Sequence, residues 1–167
     1  MSTMTPPRTV PDLSFLLSHT SHVLNTRLTA ALAEIGMTVR GHCVLMHALP
    51  GERTQIELAK LSDLDKTTMV VTLDELEAAG LAERRPAAAD RRARIVVVTD
   101  EGRRVAAAGE QIVDRVQGEV LASLPAASRE IFFTALTELA SGYLATPAES
   151  ERPVRRPRQP RGQSQAG

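Results

Sequence analysis

The sequence predicts a mainly helical α+β fold with one small β-hairpin, and three observations lead to this prediction. Apolar residues recur at steps of three and four over residues 12–35 and 99–145, which is the spacing of amphipathic helices. The period changes at residues 81–85 and 94–98, which read as two short strands. Aromatic residues make up only 2% of the 167 residues, whereas sandwiches and barrels depend on aromatic and β-branched side chains.

Helix start and stop signals organise the first part of the chain. Residues 1–11 contain three prolines and no periodicity, so we expect a flexible arm there. Asp12 can cap a long helix that Gly36 terminates, and Thr38 can cap a second helix that Pro50 and Gly51 end. The apolar stripe expected on this second helix consists of Val39, Cys43 and Met46.

A helix-turn-helix is predicted over residues 54–78. Thr54 and Glu57 have the spacing of a capping box that opens a short helix, and Asp65 can cap the next helix, which ends at Gly80. The residues expected to point inward are Ile56, Ala59 and Leu61 on the first helix and Met69, Leu73 and Leu76 on the second.

The hairpin that follows, residues 81–98, has a long basic loop and would form a wing, so the segment is predicted to be a winged helix. Long helices at 12–35 and 99–145 flank it, and their apolar stripes exceed what one small core can cover. We therefore expect them to dimerise. Residues 12–146 would form the domain, and 147–167, with four prolines and five arginines, a disordered basic tail.

Charge is balanced overall but not locally. The chain has 20 Lys and Arg against 20 Asp and Glu, yet residues 84–94 hold five arginines against one acid. Residues 152–161 hold five more arginines and no acid. Because the local field governs association with a polyanion, this distribution is compatible with binding nucleic acid.

Several function classes are disfavoured. The single cysteine, Cys43, cannot form an internal disulfide or a thiolate zinc cluster. No apolar run approaches the roughly 18 residues of a membrane span, and the first residues lack a secretory signal, so we expect a cytoplasmic protein. No nucleophile elbow, phosphate loop or metal-protease pair is visible, which predicts no enzyme, no cofactor and no metal site.

Residues 54–102, TQIELAKLSDLDKTTMVVTLDELEAAGLAERRPAAADRRARIVVVTDEG, resemble the MarR (multiple antibiotic resistance regulator) family of transcription factors, nearest its SlyA-like branch. The matching motifs are Leu58-Ala59, Asp65-Lys66-Thr67-Thr68, the Leu76–Leu81 helix exit, Asp90-Arg91-Arg92 in the wing, and Thr99-x-x-Gly102. The resemblance implies a homodimer that binds pseudo-palindromic double-stranded DNA. It further implies a repressor that is relieved by a small-molecule effector, an oxidant or a metal.

Under this resemblance the helix after Asp65 enters the major groove and the wing follows a minor groove, where Asp90 orients Arg92. Many family members have an arginine near Val71, and this sequence does not, so contacts with thymine methyl groups are expected instead of guanine recognition. The full set of candidate DNA-binding residues is Thr54, Gln55, Lys66, Thr67, Thr68, Val70, Val71, Thr72, Arg84, Arg85, Asp90, Arg91, Arg92 and Arg94. Acidic residues on the same helix, Asp74, Glu75 and Glu77, must face away from DNA.

Alternatives remain open from the residues alone. Val70 and Val71 could belong to the core, and the arginines could form an ordinary solvated surface. The winged helix could be a protein-interaction module without DNA binding. His19 and His22 lie one turn apart, with His42 on the next helix, which leaves a metal-responsive regulator as a further reading.

Overall fold

The computed structural model describes residues 12–87 and 94–148, and it divides the chain into two compact units, Met1–Ser123 and Leu124–Gly167. The predicted mainly helical α+β fold is confirmed. In order, the elements are α1 (Leu13–Ala33), α2 (Val39–Ala48), β1 (Arg53–Thr54), α3 (Gln55–Leu61), α4 (Lys66–Ala78), β2 (Ala82–Pro86), β3 (Arg94–Val98), α5 (Asp100–Ala122) and α6 (Ala126–Ser141). The predicted arm at 1–11 and residues 149–167 of the predicted tail lie outside the described residues.

Side-chain caps explain where the helices of the first unit begin. The Thr38 hydroxyl accepts from the Gly41 N–H at 3.0 Å, and the Asp65 carboxylate accepts from the Thr68 N–H at 2.9 Å. Each cap satisfies a backbone donor that has no partner within its own helix. The caps predicted at Asp12, Thr38, Thr54 and Asp65 are all confirmed.

The predicted hairpin is part of a larger sheet. Three antiparallel strands lie in the order β1-β3-β2, so Ile95 in the centre has Arg85 on one side and Thr54 on the other. Sequence analysis missed β1 because a two-residue strand has no measurable period. Its pairing fixes the start of α3 beside the wing, and we call β1, β2 and β3 together the wing sheet.

The core of the first unit lies where α1 to α4, the wing sheet and α5 meet. Leu32, Leu45, Leu58 and Met69 are fully buried there, one from each of the first four helices, and Val96 of β3 closes the cluster. Truncating such a residue to alanine typically costs about 2–5 kcal/mol. The helix-turn-helix is therefore held in place by the same core as the flanking helices.

The inward face predicted for α3 is right only for Ala59, which packs against the core; Leu58 is the fully buried residue, whereas Ile56 is 69% and Leu61 45% exposed. The face predicted for α2 is incomplete. Val39 and Met46 pack against the core while half-buried, as Cys43 is, and the buried residues of α2 are Gly41, His42, Val44, Leu45 and Ala48. In both helices two apolar stripes overlap, and the neighbouring elements decide which of them is covered.

The second unit has α6 as its only regular element among residues 124–148, and no residue of this helix is buried. Its exposed apolar side chains are Ile131, Phe132, Phe133, Leu136 and Leu139, followed by Tyr143 and Leu144. Within the described residues, no helix is long and apolar enough to cross a membrane.

A close backbone approach joins α5 to the end of the helix-turn-helix. The Thr99 N–H donates to the Leu81 carbonyl at 3.1 Å, and the Thr99 hydroxyl donates to the Gly80 carbonyl at 2.7 Å. The same hydroxyl accepts from the Gly102 N–H at 2.9 Å and caps α5. A Cβ atom added at Gly102 would overlap the Leu81 carbonyl oxygen, so only glycine allows α5 to start here.

We expect Gly102→Ala to lower the free energy of unfolding by about 1–3 kcal/mol, because the backbone of Leu81 would have to move. Gly118 lies exposed on the same helix, where an added Cβ would have no atom within 4 Å, and Gly118→Ala is the matched control. The control should raise the free energy of unfolding by about 0.5–1 kcal/mol, since alanine favours the helix. Urea denaturation measures both, and equal effects in the two variants would contradict the close approach.

His42 is the buried titratable side chain between α2 and α5. It is 8% exposed, its Nε2 has no hydrogen-bond partner in the part of the chain that is described, and its ring fills the space next to Gly109. Burial lowers the pKa of His42, although a backbone hydrogen bond with Ala106 and the charge of Glu110 act in the opposite direction. The folded protein therefore favours the neutral imidazole at this position.

This burial predicts a loss of stability in mild acid. Because the pKa of His42 is lower in the folded than in the unfolded chain, the unfolded chain binds the proton more readily as the pH falls below about 6.5. The midpoint of thermal unfolding should thus fall between pH 7.5 and pH 5.5 by more in the wild type than in His42→Gln. The exposed His19→Gln is the control and should behave like the wild type. Identical pH profiles for His42→Gln and the wild type would refute this role.

Candidate nucleic-acid interface

The helix-turn-helix places the starts of α3 and α4 at neighbouring positions. The turn between them includes Asp63 with a positive φ of 51°, and Met69 and Leu73 of α4 bury against Leu58 of α3. Both helices start at a side-chain cap, so several backbone N–H groups and the positive end of each helix dipole point outward. This is the arrangement in which protein backbones bind phosphate.

The exposed face of α4 starts with Lys66, Thr67, Val70, Val71 and Asp74, and Glu75 and Ala78 are exposed further along the helix. The two valines are 37% and 46% exposed, which argues against the reading that placed them in the core. Large aliphatic side chains on the outside of an otherwise polar helix are typical of a contact surface. The exposed face of α4 begins with a lysine and a threonine and continues with an apolar patch.

The placement of Thr72 on this exposed side is wrong. Its side chain is fully buried, and its hydroxyl donates to the Thr68 carbonyl at 2.8 Å. Three residues beyond Met69, it falls on the inward stripe together with Leu73 and Leu76. Thr72 is therefore a core residue and not a candidate for DNA contact.

Two threonines in the candidate set serve as parts of caps. The Thr68 hydroxyl donates to Asp65 at 2.7 Å, and the Thr54 hydroxyl donates to Glu57 at 2.8 Å while it accepts from the Glu57 N–H. These bonds lower the pKa of Asp65, chiefly through the Thr68 hydroxyl, and that of Glu57, chiefly through the Thr54 N–H. Both carboxylates are held in the ionised form, and both hydroxyl protons are already used.

An open groove of about 340 Å³ lies between α3 and α4. Gln55, half-buried, and Ile56 line it on the α3 side, and Lys60 and Lys66 bring two positive charges to it. Sequence analysis missed Lys60 as a candidate, because it took Ile56, Ala59 and Leu61 as the inward face and gave the residue between them no role. The signal that could have identified Lys60 is a basic residue soon after the start of the first helix of a helix-turn-helix.

The wing sheet separates the candidate arginines onto two faces. Arg85 lies exposed next to Glu83 on the outer face, and their side chains form an ion pair at 2.7 Å. Arg94 is exposed at the start of β3, opposite Pro86. Asp90, Arg91 and Arg92 lie outside the described residues. Arg85 and Arg94 remain accessible to a phosphate.

Arg84 has a different position from the one expected of a phosphate contact. Its side chain is only 21% exposed, and its guanidinium contacts Glu77 at 2.6 Å and Asp74 at 2.7 Å. It turns inward because residues alternate along β2 and this position faces α4. The two acidic residues that were expected simply to face away from DNA are its partners. The Arg84 guanidinium is thus engaged within the protein, and its contact with a phosphate stays an untested prediction.

Comparison with known proteins identifies this segment. Residues 35–93 match the model of the MarR family. This segment is similar to the winged-helix domain of the MarR family. The proteins of this family are DNA-binding winged-helix regulators of transcription and not enzymes, and the confirmed winged-helix fold agrees with the assignment.

Solved structures extend the similarity to most of the chain. CouR from Rhodococcus jostii RHA1, bound to p-coumaroyl-CoA, is 29% identical with a TM-score of 0.69 and covers 83% of this chain and 96% of its own. A MarR family protein of Mycobacterium tuberculosis in complex with p-aminosalicylic acid is 28% identical, with a TM-score of 0.65 over 77% of this chain and 98% of its own. The repressor CouR on a 23-mer DNA duplex, 24% identical with a TM-score of 0.73, has the same fold over 83% of this chain and 99% of its own.

Proposed function

We propose that the chain is a homodimeric transcriptional repressor that acts in the cytoplasm, binds a pseudo-palindromic operator in double-stranded DNA, and is released by a small-molecule effector. The observation that carries this proposal is the exposed face of α4, where a capped helix start, Lys66 and Thr67 precede the two exposed valines. This face combines groups suited to the DNA backbone with groups suited to base edges.

The first turn of α4 supplies the backbone contacts. Lys66 and Thr67 are exposed beside the N–H groups of the helix start, and Gln55 and Lys60 border the groove next to them. Phosphate contacts of this kind fix the orientation of a recognition helix without selecting a sequence. Thr54 and Thr68 contribute by capping the helices.

Val70 and Val71 supply the base contacts. They lie one turn further along α4, where a recognition helix in the major groove faces base edges. Residues Lys66–Ala78 include no arginine, so this helix offers no guanidinium for bidentate recognition of guanine. Aliphatic side chains contact the methyl group of thymine, and we infer an operator whose half-sites are rich in A·T pairs at this position.

The wing supplies the minor-groove contacts. Arg85 and Arg94 are exposed at the base of the hairpin, and Asp90, Arg91 and Arg92 stand between them in the sequence. A narrow minor groove concentrates negative potential and attracts arginine. We assign Arg92 to the groove, oriented by Asp90, and the other arginines to phosphates.

Dimerisation is proposed for the flanking helices, residues 12–35 and 99–145, within a domain that spans 12–146. On α1, Leu13 is 59% and Phe15 63% exposed, and on α6, Ile131 is 71% and Phe133 59% exposed. Exposed apolar side chains in such number usually mark an interface. A second copy of the chain is the occupant that two half-sites of a palindrome require.

Release by an effector follows from the relatives. The CouR structure holds p-coumaroyl-CoA, and the mycobacterial protein holds p-aminosalicylic acid. We propose that this chain also responds to a small organic molecule.

DNA binding can be tested with a duplex from the region upstream of the coding sequence, by fluorescence anisotropy at several salt concentrations. Wild-type protein should bind it in preference to a scrambled duplex. Lys66→Ala should weaken binding to both duplexes and lower the slope of log affinity against log salt by about 1, because one phosphate contact is lost. Arg129→Ala, on α6 and outside the winged helix, is the control and should keep the wild-type slope. The absence of binding to any duplex at low salt would favour a protein-interaction module instead.

The dimer can be tested by light scattering, which should give a particle near twice 18.0 kDa. Ile131→Asp should reduce this mass without unfolding the chain, since the side chain is 71% exposed in the single copy. Glu130→Ala, at the neighbouring exposed position, should leave the mass unchanged. A monomeric wild type that binds its operator tightly would refute the proposed dimer.

A further inference from the structure

We infer that Arg84 is a positioning residue for DNA recognition: it fixes the rotation of α4 relative to the wing sheet and offsets one of the two negative charges of Asp74 and Glu77. This inference rests on the proposed function. Arg84 would contact no DNA atom itself and would act through Val70, Asp74 and Glu77.

The contacts of Arg84 form a network that joins β2 to three residues on successive turns of α4. Its Nη1 donates to Glu77 Oε2 at 2.6 Å, and its Nη2 donates to Asp74 Oδ1 at 2.7 Å and to the Val70 carbonyl at 3.1 Å. The Arg84 backbone N–H donates to Glu77 Oε1 at 2.7 Å. Glu77 thus binds both the backbone and the side chain of the same residue.

The spacing of these partners explains why they act on helix rotation. Val70, Asp74 and Glu77 are four and three residues apart, so they lie on one stripe along α4. A planar guanidinium with donors in fixed directions can satisfy such a stripe only at one rotation of the helix about its axis. Val70 belongs both to this network and to the exposed face of α4, so the rotation of the helix also sets where Val70 and Val71 point.

The path of the chain from α4 to β2 does not depend on the contacts of Arg84. The turn after α4 is already closed by the bond from the Leu81 N–H to the Leu76 carbonyl at 2.9 Å. Leu76 and Leu81 are both part of the buried core. The Arg84 side chain contacts α4 outside this core, at the edge of the helix where Asp74 is 59% exposed.

The charge of Arg84 is a second reason to expect that this residue affects DNA binding. Asp74 and Glu77 would carry two negative charges beside a surface that must approach phosphates, and repulsion between like charges weakens association. Arg84 compensates one of these charges and holds both carboxylates against β2. This charge effect would act on every duplex alike, whereas the fixed rotation of α4 is what would improve discrimination between sequences.

The test uses the affinity ratio between the upstream duplex and a scrambled duplex of equal composition. Arg84→Gln should lower this ratio by about tenfold, since α4 loses its fixed rotation, while the salt slope stays at the wild-type value because no phosphate contact is lost. Arg84→Lys should restore only part of the ratio, because a single ammonium cannot reach both carboxylates and the Val70 carbonyl in the same geometry. Circular dichroism ensures that each variant is compared in its folded state.

Asp74→Ala is a second variant that keeps the test decisive if the Arg84 variants fail to fold. It removes one exposed partner of Arg84, and it should lower the ratio several-fold without weakening binding to the scrambled duplex. Glu75→Ala is the matched control on the next residue of the same helix, and it should leave the ratio unchanged.

The outcomes separate the inference from the proposed function. An unchanged ratio in Arg84→Gln and in Asp74→Ala would overturn the positioning role and leave DNA binding intact. A salt slope reduced by about 1 in Arg84→Gln would overturn it as well, because Arg84 would then contact a phosphate. A wild type that binds no duplex would overturn both.

Discussion

The approach of α5 to the Leu81 carbonyl is the constraint on which the arrangement of the first unit depends. Thr99 bonds to the carbonyls of both Gly80 and Leu81, and Gly102 provides the space that any side chain would fill. The end of α4, the last strand of the wing sheet and the first turn of α5 meet at this one point. Since α5 leads to the helices proposed for dimerisation, the same contact would set how each winged helix is presented to its half-site.

Part of the acidic charge of the winged helix is engaged within the protein. Asp74 and Glu77 of α4 are bound to Arg84 and Asp65 caps the helix, whereas Glu75 is exposed. Lys60 and Lys66 border the groove between the two helices and lie on their exposed sides. A formal net charge of zero is therefore compatible with a polyanionic partner, because the local distribution of charge governs such an association.

Much of the fold was predictable because short stretches of the sequence determine where its helices and strands begin and end. Asp12, Thr38, Thr54 and Asp65 are residue types that cap helices, and the change of period at Leu81 marks the wing. The choice between overlapping stripes was not predictable. On α3, both Ile56 and Leu58 can point inward, and the contacts with α4 and the wing sheet decide for Leu58.

In the candidate site, too, the residues set by local spacing were predictable and those set by tertiary contacts were not. Lys66, Thr67, Val70 and Val71 were identifiable because helical spacing separates them from Met69 and Leu73. The environments of Thr72 and Arg84 were not predictable because tertiary contacts create them: a helix stripe covered by the core in one case, and two carboxylates brought opposite a strand in the other. Sequence reveals that a residue is polar or cationic, but not whether a partner within the protein has already taken that charge.

Selection of the full chain's binding sites from a pool of random duplexes tests the central claim most directly. A dimer with one recognition helix per copy should enrich an inverted repeat, with half-site centres about 10 base pairs or a multiple of that apart, and with A·T pairs where Val70 and Val71 contact the bases. Enrichment of a single unrepeated motif would contradict the symmetric dimer. No enrichment at low salt would contradict sequence-specific DNA binding itself.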